Sequence, residues 1–141
     1  MFLSLTDHTT TNQLCFSFEN SVCNDYITEK FFKVFDYDMV PIVFGSANYS
    51  KVAPAKSYIN VDDFETLEIF VAHIQYLERN ATAYAEYFEW KSHFKVNFFS
   101  KVFCHLCQAL NDETSPVKTY SNMHQWWVDD AKCVGEKLIP V

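Results

Sequence analysis

Tyr26, Glu29, Lys30 and Lys33 stand at positions i, i+3, i+4 and i+7 of one stretch, so on a helix they share a face. An ammonium suits phosphates, a carboxylate suits hydroxyls, and a phenol ring packs on a sugar or a base. Together they suit a sugar nucleotide. The same spacing also describes a solvated helix face carrying a Glu–Lys pair, and on spacing alone that is the commoner case. The choice between the two turns on the elements that hold this face.

Those elements read as strand, polar loop, helix, strand. Leu14 to Phe18 has the makings of a short buried strand, and Met39-Val40-Pro41-Ile42-Val43-Phe44-Gly45 is an apolar run of strand length. Between them Ile27, Phe31, Val34 and Phe35 recur at helical spacing, opposite the polar face. Such a βαβ unit holds its ligand outside the carboxyl ends of the strands, where the loop Glu19 to Tyr26 falls. Asp25 is expected to cap the helix, leaving first-turn N–H groups whose preference for an anion is about 0.3–1 kcal/mol at a surface. Pro41 fits a strand start or edge better than a central strand. Gly45 to Tyr49 turns the chain over the same cleft. There Gly45 either admits a ligand or only turns the backbone, and Tyr49 either stacks near a nucleotide or lies on the surface.

The rest reads as scaffold. Ser57 to Asn60 is a short strand, and Asp62 with Glu65 opens a helix whose apolar face is Phe64, Leu67, Val71, Ile74 and Leu77, closed by Asn80. His73 lies off that stripe and is expected in solvent. Ala83 to Trp90 is a second helical segment, its Tyr84, Tyr87, Phe88 and Trp90 better suited to a core than to sugar stacking. Phe98, Val102, Leu106 and Ala109 continue through a helix bearing Cys104 and Cys107, and Met123, Trp126 and Trp127 form a last short helix after the linker Asn111 to Thr119. Residues 1–13 read as a disordered or foreign leader, 14–133 as the domain and 134–141 as a tail.

A formal net charge of -7 over 141 residues argues against nucleic acid as a partner, since phosphate backbones need a basic surface. An anionic ligand has to be held locally. No run of about 18 apolar residues occurs, so no transmembrane helix is expected. Five cysteines and two acceptor sequons, at Asn48 and Asn80, point to a secretory compartment. One C-x-x-C with His105 inside it lacks the second ligand pair of a zinc site. Cys15 reads as a small buried hydrophobe, Cys23 serves packing or pairing, and the odd count leaves one thiol over.

The string Phe18-Glu19-Asn20-Ser21, Cys23, Asp25-Tyr26-Ile27-Thr28-Glu29-Lys30, then Val40-Pro41-Ile42-Val43 and Gly45, closely resembles the donor-binding signature of the α1,3-fucosyltransferases, glycosyltransferase family 10. Tyr49, Pro54, Ser57-Tyr58-Ile59, the segment Tyr87 to Lys91, Cys104-x-x-Cys107, Trp126-Trp127 and Cys133 follow in the family's order, so the resemblance runs from about Phe16 to Cys133. It weakens at Gln13-Leu14-Cys15-Phe16, where the family usually reads Lys-Phe-Tyr-Leu.

The resemblance implies an α/β fold: the Rossmann-like C-terminal half of a GT-B glycosyltransferase, incomplete at its N-terminus. It implies an inverting enzyme that moves fucose from GDP-fucose to the 3-hydroxyl of N-acetylglucosamine in a glycoprotein or oligosaccharide acceptor. Asn20, Tyr26, Glu29 and Lys30 then hold the donor: Lys30 on the pyrophosphate, Glu29 on ribose or fucose hydroxyls, Tyr26 and Asn20 framing them. The general base and a Golgi membrane anchor belong to a missing N-terminal half, no cofactor is required, and this stretch alone is inactive. By the same resemblance Cys104 pairs with Cys107, Cys133 seeks a partner on the upstream half, and the last helix packs on the other domain. The alternative of a different class is a non-catalytic module that binds nucleotide weakly or serves as an interaction partner.

Overall fold

The computed structural model describes residues 13–96 and 102–134. The expected leader lies outside the described residues except for Gln13, the tail except for Val134, and Phe98 lies outside them too. A parallel three-stranded sheet of order β1-β2-β3 organises the chain: β1 is Gln13–Phe18, β2 Met39–Phe44 and β3 Ile59–Asn60. The β1–β2 ladder runs from Gln13↔Met39 to Phe18↔Phe44, and α1, Glu29–Val34, crosses over between the two strands. The βαβ unit read from the sequence is therefore present.

The apolar run of β2 follows from its place between two cores. Alternate side chains point to opposite faces of a strand, and a central parallel strand is covered on both. Val40, Ile42 and Phe44 join Ile59, Val61, Phe70, Leu77 and Tyr84 on one face. Val43 joins Phe31 and Tyr49 on the other, with Ile27, Phe35 and Tyr58 packed around them. The stripe expected on α1 is the one buried, with Phe31 and Val34 inside. Pro41 departs from expectation, sitting buried in the central strand. β3 pairs only with Ile42 and Val43, so its ladder begins after Pro41 and loses no donor to it.

The second helix starts later than its capping-box pattern suggested. Asn60 caps a single 3-10 turn, Val61–Asp63, and α2 runs Leu67–Arg79 from an N-cap at Thr66, whose hydroxyl accepts from Ile69 N. Phe70 rather than Val71 takes the core position: Phe70 and Leu77 are buried, Leu67 and Ile74 pack beside them, and Val71 is exposed. His73 is half-buried instead of solvated, because the segment after α2 folds over it and Tyr87 O–H lies 3.0 Å from its Nε2. Asn80 closes α2 as expected and also caps α3, Ala81–Ala85, its Oδ1 accepting from Ala83 N at 3.0 Å. The helical stretch expected to reach Trp90 breaks at Ala85 into a 3-10 segment, Glu86–Ser92, which turns Trp90 against Phe35 at 5.3 Å between ring centres.

Cysteine pairing also departs from expectation. Cys23 is bonded to Cys133, 110 residues away, while Cys104 and Cys107 are free and exposed on α4, Val102–Leu110, and Cys15 is free and buried. Cys133 thus finds its partner within this chain, in place of both the Cys104–Cys107 bridge and an upstream partner. Backbone bonds fix the bridge from both sides, Asn24 N to Ala131 O at 2.8 Å and Val134 N to Val22 O at 2.9 Å. Among the described residues no helix is long and apolar enough to cross a membrane.

Candidate functional site

Glu19 and Asn20 follow directly on β1, and Glu19 N still reaches Phe44 O at the end of β2, at 3.4 Å. The loop Ser21 to Ile27 then leaves the sheet and returns as α1. Asp25 does not cap that helix. It closes a tight turn, Tyr26 N bonding Cys23 O at 3.3 Å, in the left-handed region at φ 56, which aspartate tolerates better than most residues. The cap is Thr28. Glu19 holds it: the carboxylate accepts from Thr28 N at 2.8 Å and from Thr28 Oγ1 at 2.8 and 3.1 Å. Thr28 Oγ1 in turn lies 3.5 Å from Lys30 N. Thr28 N, Lys30 N and Phe31 N at this six-residue helix start are therefore met by protein oxygens, which takes up most of the anion preference expected there.

Lys30 is drawn to the end of β1 by two bonds. Its ammonium donates to Phe18 O at 3.3 Å, and its carbonyl accepts from the buried Ser17 hydroxyl at 3.2 Å. Tyr26 O–H makes a long bond to Asn20 Oδ1 at 3.5 Å. Asn20, Tyr26 and Lys30 thus gather at the carboxyl end of β1. Glu29 has no hydrogen bond to these three among the described residues; it lines a cleft of about 610 Å³ with Phe32, Lys33, Trp90, Phe94 and Lys95.

Tyr49 is neither in a cleft nor on the surface. It is 3% exposed, packed edge-on against Phe31 at 5.2 Å, and its hydroxyl has no hydrogen-bond partner among the described residues. Burial first, and the nearby Glu19 charge second, push its phenol up to about 12. Gly45 exists for that hydroxyl: a Cβ at position 45 would stand 2.7 Å from Tyr49 Oη. The space beside Gly45 belongs to a side chain, not to a ligand.

Of the two sequon residues, Asn48 is exposed and accepts from Ser50 Oγ at 2.6 Å, while Asn80 is half-buried with Nδ2 donating to Tyr76 Oη at 3.0 Å. Among the described residues no three His, Cys, Asp or Glu side chains come together as a metal-ligand set. Glu19 and Thr28 are the positioning residues that the polar-face pattern did not single out. Their signal was a threonine immediately before Glu29 and the apolar stripe, the ordinary mark of an N-cap.

A family profile described as "Glycosyltransferase family 10 (fucosyltransferase) C-term" matches residues 4–126. Alpha-(1,3)-fucosyltransferase C of Drosophila melanogaster is 35% identical over 118 residues, covering 82% of this chain and 28% of that protein. Alpha-(1,3)-fucosyltransferase fut-5 of Caenorhabditis elegans is 42% identical over 118 residues, 78% of this chain and 31% of its own length. Alpha-(1,3)-fucosyltransferase 4 of Bos taurus is 37% identical over 117 residues, 79% and 29% of the two chains. The chain thus spans less than a third of each of these relatives. A small α/β unit built on a parallel sheet, matched over most of its length by that profile, belongs to glycosyltransferase family 10, the fucosyltransferases.

Proposed function

We propose that this chain is the donor-binding part of an inverting α1,3-fucosyltransferase with GT-B architecture, and that Asn20, Tyr26, Glu29 and Lys30 hold GDP-fucose at the carboxyl end of β1. The observation that carries the reading is the convergence of Asn20, Tyr26 and Lys30 on that strand end, where a βαβ unit takes its ligand. Lys30 meets the pyrophosphate, exchanging the Phe18 carbonyl for a phosphate oxygen. Glu29 accepts from ribose or fucose hydroxyls, and Tyr26 with Asn20 frames them.

In the transfer, a carboxylate supplied by another part of the protein takes the proton of the acceptor 3-hydroxyl of N-acetylglucosamine. That oxygen bonds to the anomeric carbon on the face opposite GDP, and the carbon–phosphate oxygen bond breaks with its electron pair going to GDP. Lys30 stabilises the charge that gathers on the departing diphosphate. Neither Glu19, spent on Thr28, nor Asp25 is that base. On this reading residues 14–133 form the donor-binding domain, 1–13 a leader and 134–141 a tail. The stretch alone does not turn over, Asn48 and Asn80 accept glycans, and the complete protein works on glycoproteins in the Golgi, held by an N-terminal anchor.

Calorimetric titration of GDP into the chain tests the assignment. Lys30→Ala should weaken binding about ten- to hundredfold, the loss of one charge-assisted bond, and Lys33→Ala much less. Equal affinity of the folded Lys30→Ala variant and parent would remove Lys30 from the site.

A further inference from the structure

Beside the donor residues lies a second cavity, of about 460 Å³, lined by Cys23, Asn24, Asp25, Tyr26, Trp126, Trp127, Asp130 and Ala131. Its two walls come from distant parts of the chain and are held together by the Cys23–Cys133 bridge and the Asn24–Ala131 backbone bond. The far wall is a π-helical turn, Gln125–Asp129, a rare conformation often found where a side chain must be re-aimed at a functional site. Asp25, which lines the cavity, is one of the three non-glycine residues with positive φ among those described. Backbone of that kind concentrates at ligand sites.

The lining side chains have one chemical character. Trp126 and Trp127 stand side by side at 5.5 Å, and Trp127 is 57% exposed. Neither indole N–H, the Asn24 side-chain amide, nor the Asp25 or Asp130 carboxylate has a hydrogen-bond partner among the described residues. No lysine or arginine lines the cavity, so a phosphate is disfavoured there. Two carboxylates also sit poorly in the core of a protein interface, where charged residues are depleted. Exposed rings with free hydroxyl acceptors and N–H donors beside them match a pyranose, which has an apolar C–H face and a polar rim. The indole planes are tilted 54° to one another and Trp126 packs on Tyr120 at 4.5 Å, which leaves the face of Trp127 as the ring on which a sugar stacks.

We propose that this cavity is a neutral-pyranose subsite: the sugar stacks on Trp127 and its hydroxyls donate to Asp25 and Asp130. The site itself stands on the cavity's own residues. That its sugar belongs to the transfer reaction rests on the donor reading above, since Tyr26 is shared by both.

Tryptophan fluorescence of the whole chain, titrated separately with methyl β-N-acetylglucosaminide, methyl α-L-fucoside, tetramethylammonium and GDP, tests it. A saturable change with a sugar is expected, weakened about tenfold by Trp127→Ala, the loss of one stacked ring. Asp130→Asn, an exposed one-atom change that leaves the packing alone, should weaken it several-fold. A response to the glucosaminide assigns the acceptor's sugar, and a response to the fucoside alone assigns the donor's. No saturable response to either sugar, a response to tetramethylammonium only, or sugar binding unchanged in both variants would overturn the subsite. GDP failing to bind while a sugar binds would sink the donor assignment and leave the subsite standing.

Discussion

The carboxylate of Glu19 and the N-cap residue Thr28 form a closed pair: 2.8 Å from the Thr28 amide and 2.8 Å from its hydroxyl. The pair ties the end of β1 to the start of α1 across the loop that carries Asn20 and Tyr26, and it sets where Lys30 begins its reach. Glu19→Gln keeps the shape but halves the acceptor capacity and removes the charge. It should cost about 1.5–3 kcal/mol in urea denaturation, the range for bonds to a charged group, and lower GDP affinity in proportion to the lost order. Thr28→Ser should behave as parent and Thr28→Val as Glu19→Gln. If Thr28→Val unfolds at the parent's urea midpoint, the pair does not hold the helix.

What the sequence made legible is what periodicity encodes. The alternation that splits β2 between two cores and the stripe Phe31, Val34, Phe35 both survive into the structure because burial enforces them. Helix starts were less legible: Asp25 and Thr28 are both good caps three residues apart, and only the partner at Glu19, nine residues upstream, decides between them. Phe70 and Val71 competed in the same way for one core position on α2. Cysteine pairing is a long-range fact that no local pattern carries, and the resemblance alone pointed to the wrong pair. The Tyr49 hydroxyl was hidden for a related reason, since its burial depends on Gly45 leaving room.

Tyr49 and Gly45 make a testable couple. Tyr49→Phe deletes a buried hydroxyl with no hydrogen-bond partner among the described residues, so it should stabilise the fold, by about 1 kcal/mol on the scale of unsatisfied groups. Gly45→Ala should destabilise the parent, because the new Cβ meets that hydroxyl at 2.7 Å, and should be tolerated in the Tyr49→Phe background. Additive effects in the double variant would show that the clash lies elsewhere.

Alkaline stability should report the same phenol. Its folded pKa of about 12 lies above the unfolded value near 10. The folded state therefore binds the proton more tightly, and the contribution is complete below about pH 10 and lost as pH rises toward 12. Burial raises Tyr58 and Tyr87 as well, so Tyr49→Phe should reduce the slope of melting temperature against pH in that window without abolishing it.

His73 works in the opposite sense. Burial beside Phe64 and Tyr87 holds its imidazole below the ordinary value, so the unfolded chain takes up its proton first as pH falls. Its contribution is present above about pH 6.5 and lost as pH drops through the folded value. Melting curves between pH 7 and pH 5 should show a decline that His73→Gln flattens. An identical decline in the variant would assign the proton to another group.

The Cys23–Cys133 bridge gives the most direct test of how the chain is assembled. By chain entropy, closing a loop of 110 residues limits the unfolded state by about 4–5 kcal/mol, so reduction should lower the melting temperature sharply. A thiol reagent should find three free cysteines in the oxidised protein: Cys104 and Cys107 at once, because they are exposed, and Cys15 only slowly, because it is buried and its thiol is pushed up by burial. Cys133→Ser should release the wall that carries Trp126 and Trp127, abolishing the sugar response and leaving GDP binding at β1 intact. Peptide mapping that found Cys104 joined to Cys107 and Cys23 free would reverse the assignment. It would also detach the tryptophan wall from the loop it is bonded to, and the pyranose cavity would go with it.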